Sequence, residues 1–184
     1  MRAVIACLLL STIHASSVDF TPYKDSYEVE GIRFESVAFR HEGKRILYSP
    51  PKQWTLSGDK AKLTLYPPGA ALASASIQTL AVPEHPHSDA PSVQVLVELA
   101  RQLVPSEAVK VEFGEPKAGT VGIGGRTVSE IGLTYSLFLQ PLQASVFFLP
   151  RGDEFVAFQV VAKPADFPRL AKEFRDSLHT FQGL

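Results

Sequence analysis

The sequence has almost no cysteine. Its single cysteine, Cys7, stands near the start of a chain of 184 residues. If the first 17 residues are removed on export, as argued next, the remaining chain contains no thiol. That excludes disulfide bonds, a cysteine nucleophile and a thiolate-bound zinc ion. A chain of this length buries roughly 70% of its unfolded surface, so one hydrophobic core can stabilise it without covalent cross-links.

An apolar run long enough to span a membrane, about 20 residues, is also missing. The largely apolar run from Ala3 to Ile13 is only about 11 residues long; it follows Arg2 and precedes small residues at 15–17. This order of positive charge, apolar segment and small residues is typical of a secretory signal peptide. We therefore expect residues 1–17 to be a signal peptide and the mature protein to be extracytoplasmic, either periplasmic or secreted. No transmembrane segment is expected after cleavage.

Neither sign of charge is in excess. Eighteen Lys and Arg residues face 19 Asp and Glu residues, and the formal net charge is −1. A protein with so balanced a charge has no general electrostatic attraction to a nucleic acid or to an anionic membrane. We expect no nucleic-acid partner.

Motifs that carry catalysis are missing as well. The stretch from Gly119 to Gly125 lacks the adjacent lysine and hydroxyl residue of a Walker-type phosphate-binding loop and precedes a strand pattern, so it is interpreted as a flexible hairpin connection. There is no Gly-x-Ser-x-Gly motif for a serine nucleophile. Arg151-Gly152-Asp153, between two apolar strands, is typical of a hairpin turn. We therefore assign no catalytic residue and expect a protein that is not an enzyme.

Hydrophobic periodicity predicts one α+β domain over residues 32–184. Residues 18–31 show no clear period and are interpreted as an N-terminal leader. The strand 154–162 and its predecessor 143–149 are apolar at nearly every position, which indicates a sheet covered on both faces. Alternation and turn residues predict the other strands at 32–40, 45–48, 54–56, 61–66, 72–82, 109–113 and 127–138.

Two amphipathic helices complete the pattern. The first is predicted to begin with Ser88 or Asp89 as N-cap, with Pro91 in its first turn. The second is predicted to begin near Asp166. Its core-facing stripe recurs at helical spacing: Phe167, Leu170, Phe174, Leu178 and Phe181. The expected architecture is an α/β/α sandwich, a largely antiparallel sheet flanked by helices.

Several landmarks occur in an order that resembles a known fold family. Tyr48–Trp54 is similar to the tyrosine–proline–tryptophan opening of PsbP, Mog and DcrB-like domains. Ala73–Ile77 resembles their next strand, and Gly124–Arg126 the turn before their long strand. The closing segment Lys163–Phe181 resembles their final helix and its serine–aromatic ending. The resemblance covers residues 32–182; it implies a binding or assembly protein and carries over no catalytic residue.

The sharpest local cluster is the proline-rich segment that contains His85, His87 and Asp89. Imidazole nitrogens and a carboxylate suit Zn²⁺, Mn²⁺ or Cu²⁺, so these residues are the candidate metal ligands. The alternative is a solvated loop that leads into a helix. Apart from this possible divalent metal, no cofactor is expected.

Trp54, together with Tyr48 and Tyr66, forms the candidate partner-binding site. Aromatic side chains exposed at one end of a sheet would offer an aromatic docking patch. The alternative is that Trp54 fills the core.

The leading functional hypothesis is a non-catalytic binding or assembly module that acts on an envelope protein. The alternative is a protein that binds a small ligand or a divalent metal, and a hydrolase ranks third.

Overall fold

The computed structural model describes residues 18–82 and 91–183. Its elements, in chain order, are β1 (Asp19–Val29), β2 (Ile32–His41), β3 (Lys44–Tyr48), β4 (Thr55–Gly58), β5 (Lys62–Tyr66), β6 (Ser74–Ala81), α1 (Val93–Gln102), β7 (Val109–Phe113), β8 (Lys117–Ile123), β9 (Arg126–Leu137), β10 (Gln140–Arg151), β11 (Glu154–Ala162) and α2 (Phe167–Leu178).

The strands form two antiparallel sheets. The smaller has three strands in the order β1-β2-β3, and the larger has eight, in the order β4-β5-β6-β11-β10-β9-β7 with β8 paired to β9. β10 and β11 lie in the middle of the larger sheet, and every residue of 144–149 and of 155–162 is buried. The prediction of a sheet covered on both faces is confirmed.

Alternate residues of β10 pack into two separate cores. Phe147 and Leu149 belong to a core shared by α2 and the three-stranded sheet. Phe148 and Val146 belong to a second core, under α1. The α+β class is therefore confirmed, but the sandwich is less regular than expected. One face is covered by a single helix, and α2 shares the other face with a second sheet.

The segment interpreted as a leader is a strand of the domain. β1 pairs with β2, and Val18 and Phe20 are buried in the first core. Phe20 packs edge to face on Phe39, with ring centroids 5.9 Å apart. The strand pattern is hidden because Pro22 falls where the register between β1 and β2 is irregular, at an edge strand that tolerates a missing donor.

Two further boundaries differ from the sequence prediction. The N-cap of α1 is Ser92, whose Oγ accepts from the Val95 amide, so the prediction of Ser88 or Asp89 as N-cap was wrong. The stretch interpreted as a flexible connection contains β8, which buries Val121 and Ile123. Its glycines lower strand propensity, but pairing with β9 compensates for that loss. The start of α2 after Asp166 is as predicted.

Candidate functional site

Tyr48, the first candidate partner-binding residue, is fully buried. Its hydroxyl lies 2.8 Å from Oγ of Ser177, and that Oγ donates to the carbonyl oxygen of Phe174 at 2.6 Å. Since the Ser177 hydrogen is engaged with Phe174, Tyr48 is the donor of the pair. Burial raises the pKa of the Tyr48 phenol. The Tyr48 hydrogen bond therefore links β3 to α2, and the buried side chain is not accessible to a binding partner.

Trp54 is also buried, with 6% of its surface exposed. Its indole stacks on Phe174, with centroids 6.4 Å apart and ring planes 13° apart. The indole Nε1 donates to Oε2 of Glu173 at 3.1 Å, so both contacts anchor Trp54 to α2. The interpretation of Trp54 as a core-filling residue agrees with this burial.

Tyr66 alone of the three aromatic candidates is exposed, at 48%. It ends β5, opposite Thr55. The predicted exposed patch of Tyr48, Trp54 and Tyr66 is therefore wrong. A tyrosine and a tryptophan beside paired prolines look alike in sequence whether they face solvent or a helix, and here α2 covers two of the three.

A cavity of about 570 Å³ opens beside Trp54. It lies between the β1–β2 hairpin and the β3–β4 connection, which runs from Ser49 to Trp54. Its walls include Lys24, Ser36, Pro50, Pro51, Lys52 and Trp54. This volume is within the range of small-molecule sites, roughly 300–1,000 Å³. We refer to it as the Trp54 cavity.

The backbone of the β3–β4 connection is held in one shape. The amide of Trp54 donates to the carbonyl of Pro51 at 3.2 Å, and the intervening Gln53 has a left-handed φ of 67°. A left-handed non-glycine residue persists only where its surroundings impose it, and such residues cluster at binding and catalytic sites. The two prolines form part of the cavity wall, and this turn positions Trp54 beside them in the same wall.

A second feature is the turn between β9 and β10, formed by Phe138 and Leu139, because Leu137 pairs directly with Gln140. The strands predicted at 127–138 and 143–149 leave residues 139–142 outside any strand, whereas β10 begins at Gln140. Phe138 is 77% exposed and Leu139 94%, although both are large and apolar. We refer to these two residues as the Phe138–Leu139 turn.

The backbone of this turn is unusual for its side chains. Phe138 and Leu139 have φ values of 49° and 65°, both in the left-handed region. A two-residue hairpin turn with two positive φ angles favours Asn-Gly or Gly-Gly, because other side chains crowd the backbone there. The other described hairpins with two positive φ angles each have glycine in second place: Glu30-Gly31, Glu42-Gly43 and Gly124-Gly125.

The candidate metal ligands His85, His87 and Asp89 fall in 83–90, outside the described residues. Within 18–82 and 91–183, no group of three or more His, Cys, Asp or Glu side chains is placed to hold a metal ion. The proposed metal site therefore stays a prediction of the sequence.

A buried carboxylate elsewhere in the sheet has structural partners. Oε1 of Glu130 accepts from Nη2 of Arg175 at 2.7 Å and from Oγ of Ser145 at 2.9 Å. The guanidinium of Arg175 also lies over the ring of Phe147. These contacts attach α2 to β9 and β10, and sequence patterns do not reveal them because the residues are far apart in the chain.

In the described part of the chain, no helix has both the length and the apolar character that crossing a bilayer requires.

No protein-family model and no curated protein matches the sequence. Among solved structures, the Ran-binding protein Mog1p of Saccharomyces cerevisiae is 12% identical; the match covers 88% of this chain and 95% of that one, with a TM-score of 0.52. LpqN of Mycobacterium tuberculosis, which is involved in cell envelope biogenesis, is 15% identical over 75% of this chain and 83% of its own, with a TM-score of 0.47. Cyanobacterial PsbP from Synechocystis is 11% identical over 98% of this chain and 99% of its own, with a TM-score of 0.45. The likeness to Mog1p shows that this chain has the PsbP/Mog-like fold its landmarks predict, and it shows the fold alone.

Proposed function

We propose that this PsbP/Mog-like chain is an exported, non-catalytic binding module whose partner is a protein of the cell envelope. The observation that carries the proposal is the Phe138–Leu139 turn, which presents two large apolar side chains to solvent on a left-handed backbone. Export is supported by the signal-peptide pattern of residues 1–17.

The turn is costly to the isolated protein. A left-handed conformation costs a residue with a side chain about 1–2 kcal/mol relative to glycine. Exposure of Phe138 and Leu139 also leaves apolar surface in water. Neither cost is offset by a contact within the described chain, since both side chains are exposed. A partner that buries them offsets both costs.

The neighbouring strand enlarges the apolar surface. Val109 pairs with Ser136, two residues before Phe138, and it too is exposed. Aromatic and aliphatic anchors that enter a pocket of the partner dominate the energy of many protein interfaces. A short hairpin turn closed by the pairing of Leu137 with Gln140 is suited to this task, because a constrained backbone loses little conformational entropy when it docks.

The test is co-purification from envelope extracts of the organism that carries the gene. The wild-type chain is compared with the double variant Phe138→Ser/Leu139→Ser and with Ile32→Ser. Ile32 is the matched control, since it is 60% exposed and lies beside the turn of a different hairpin.

We expect a stoichiometric partner that is recovered with the wild type and with Ile32→Ser, and lost with the double variant. Equal recovery with all three chains, or no partner with any of them, would overturn the proposal. Circular dichroism of the purified double variant checks that the loss does not come from unfolding.

A further inference from the structure

We propose that the Trp54 cavity binds a small amphipathic organic anion, with an apolar or aromatic body and one anionic group. This site lies on a different part of the fold from the Phe138–Leu139 turn and does not depend on the protein partner. Four properties of the cavity lead to this ligand class: an unpaired buried hydroxyl, an excess of positive charge, an apolar wall and a fixed tryptophan.

The unpaired hydroxyl belongs to Ser36, in β2. Ser36 lines the cavity and is only 5% exposed. Its Oγ is buried and has no hydrogen-bond partner among the described residues. Buried polar atoms are paired in the great majority of cases, because leaving one without a partner is energetically unfavourable. Because the Oγ is closed to solvent, an anionic oxygen in the cavity accepts its hydrogen only when the Ser36 side chain turns toward the ligand.

The charge around the cavity favours an anion. Lys24 and Lys52 contribute to its walls, and among the described side chains neither has an ion-pair partner. The acidic residue there, Asp25, is already engaged. Its Oδ2 accepts from Nη1 of Arg45 at 2.8 Å, and its Oδ1 accepts from the Ser26 amide at 2.7 Å. The two lysines are therefore available to bind a negatively charged group of a ligand.

Part of the cavity wall is apolar and fixed in position. Pro50 and Pro51 have no backbone N–H, so they present ring carbons without a donor to satisfy. Trp54 is fixed by its stack on Phe174 and by its hydrogen bond to Glu173. A planar or branched apolar body fits against such a surface, while the anionic group lies near the lysines.

The chain contains one tryptophan, so the fluorescence of Trp54 reports on this cavity directly. The probe is 8-anilinonaphthalene-1-sulfonate, an aromatic anion whose emission rises in apolar sites. Its neutral counterpart, N-phenyl-1-naphthylamine, has the same apolar body without the anionic group. Both are titrated into the wild type, Lys24→Gln/Lys52→Gln, Ser36→Leu and the control Lys62→Gln/Lys117→Gln. The control removes the same charge from exposed lysines outside the cavity.

We expect saturable binding of the anion with quenching of Trp54, and an apparent Kd at least about tenfold lower than that of the neutral probe. Lys24→Gln/Lys52→Gln should raise the Kd for the anion by about tenfold, and the control should leave it unchanged. Ser36→Leu, which fills the cavity, should abolish the quenching of Trp54. Phe138→Ser/Leu139→Ser should bind the anion like the wild type, so this test can fail independently of the proposed function.

Equal affinity for both probes, or an equal response of the lysine variant and its control, would overturn the site. Anion binding that disappears with Phe138→Ser/Leu139→Ser would also overturn it, because the probe would then be reporting the exposed turn. The lysine variants change exposed side chains, so their fold is expected to be retained, which near-ultraviolet circular dichroism can verify.

Discussion

The indole of Trp54 stacks on the ring of Phe174, with centroids 6.4 Å apart and planes inclined by 13°. One residue of the β3–β4 connection thus packs on α2 and also forms part of the wall of the Trp54 cavity. The position of the cavity wall is therefore set by the packing of the C-terminal helix, more than 100 residues further along the chain.

Trp54 should matter for stability far more than Tyr66 does. Truncating a buried tryptophan leaves a large void, so Trp54→Ala should lower the free energy of unfolding by about 3–5 kcal/mol. Tyr66→Ala removes an exposed ring and should cost less than about 1 kcal/mol. Urea unfolding followed by circular dichroism measures both values. Similar costs for the two variants would contradict the burial of Trp54 against α2.

Tyr48 should make the protein sensitive to alkaline pH. Its pKa in the folded protein is raised by burial, so the folded state keeps the phenol proton where the unfolded state releases it. The stability from this group is complete below about pH 10. Above that pH it falls by up to about 1.4 kcal/mol per pH unit, until the folded protein also ionises.

Tyr48→Phe should therefore flatten the decline in unfolding free energy above pH 10, measured by urea unfolding at a series of pH values. The variant should also lose about 1 kcal/mol at neutral pH with the hydrogen bond to Ser177. Burial also raises the pKa of Tyr135, so Tyr135→Phe should flatten the same decline. An unchanged slope in Tyr48→Phe would contradict the buried position of its phenol.

A substitution at Gly58 tests whether β1 packs against β4 as part of the domain. A Cβ at Gly58 would lie 2.6 Å from the carbonyl oxygen of Phe20, so Gly58→Ala must displace β1 from β4. We expect a loss of about 1–3 kcal/mol in thermal or urea unfolding. Gly122→Ala is the matched control, since nothing lies within 4 Å of its Cβ position, and it should change stability by no more than about 0.5 kcal/mol. Equal effects would mean that residues 18–31 do not pack as described.

Replacing both residues of the Phe138–Leu139 turn should stabilise the isolated protein and weaken its binding to the proposed partner. Phe138→Asn/Leu139→Gly installs the sequence that a turn with two positive φ angles favours. We expect the isolated protein to gain about 1–2 kcal/mol in unfolding free energy, because the left-handed strain is relieved. A loss of stability in this variant would indicate that Phe138 and Leu139 support the fold.

The central part of the fold was predictable from sequence because its signals are local. The nearly continuous apolar stretches within β10 and β11 indicate burial on both faces. The stripe Leu170, Phe174 and Leu178 predicts the buried face of α2. These patterns depend on spacing along one segment, and tertiary contacts reinforce them.

The missed elements depend on contacts between distant segments. β1 contains a proline and mixed polarity, and its burial comes from Phe39 and from the β4–β5 edge. β8 is rich in glycine and is a strand because β9 pairs with it. The Trp54 cavity could not be predicted either, since its walls come from β1, β2 and the β3–β4 connection. Pro50, Pro51 and Trp54 were the only local sequence signal near this cavity. The same signal is also compatible with an exposed aromatic patch.

The most direct test of a protein partner at the hairpin end is photo-crosslinking in the living host. Benzoylphenylalanine is placed at position 139 in one strain and at position 32 in another, and the crosslinked products are separated by mass. The proposed function predicts a discrete adduct with one envelope protein from position 139 and none of that mass from position 32. No adduct from position 139, or the same products from both positions, would contradict it.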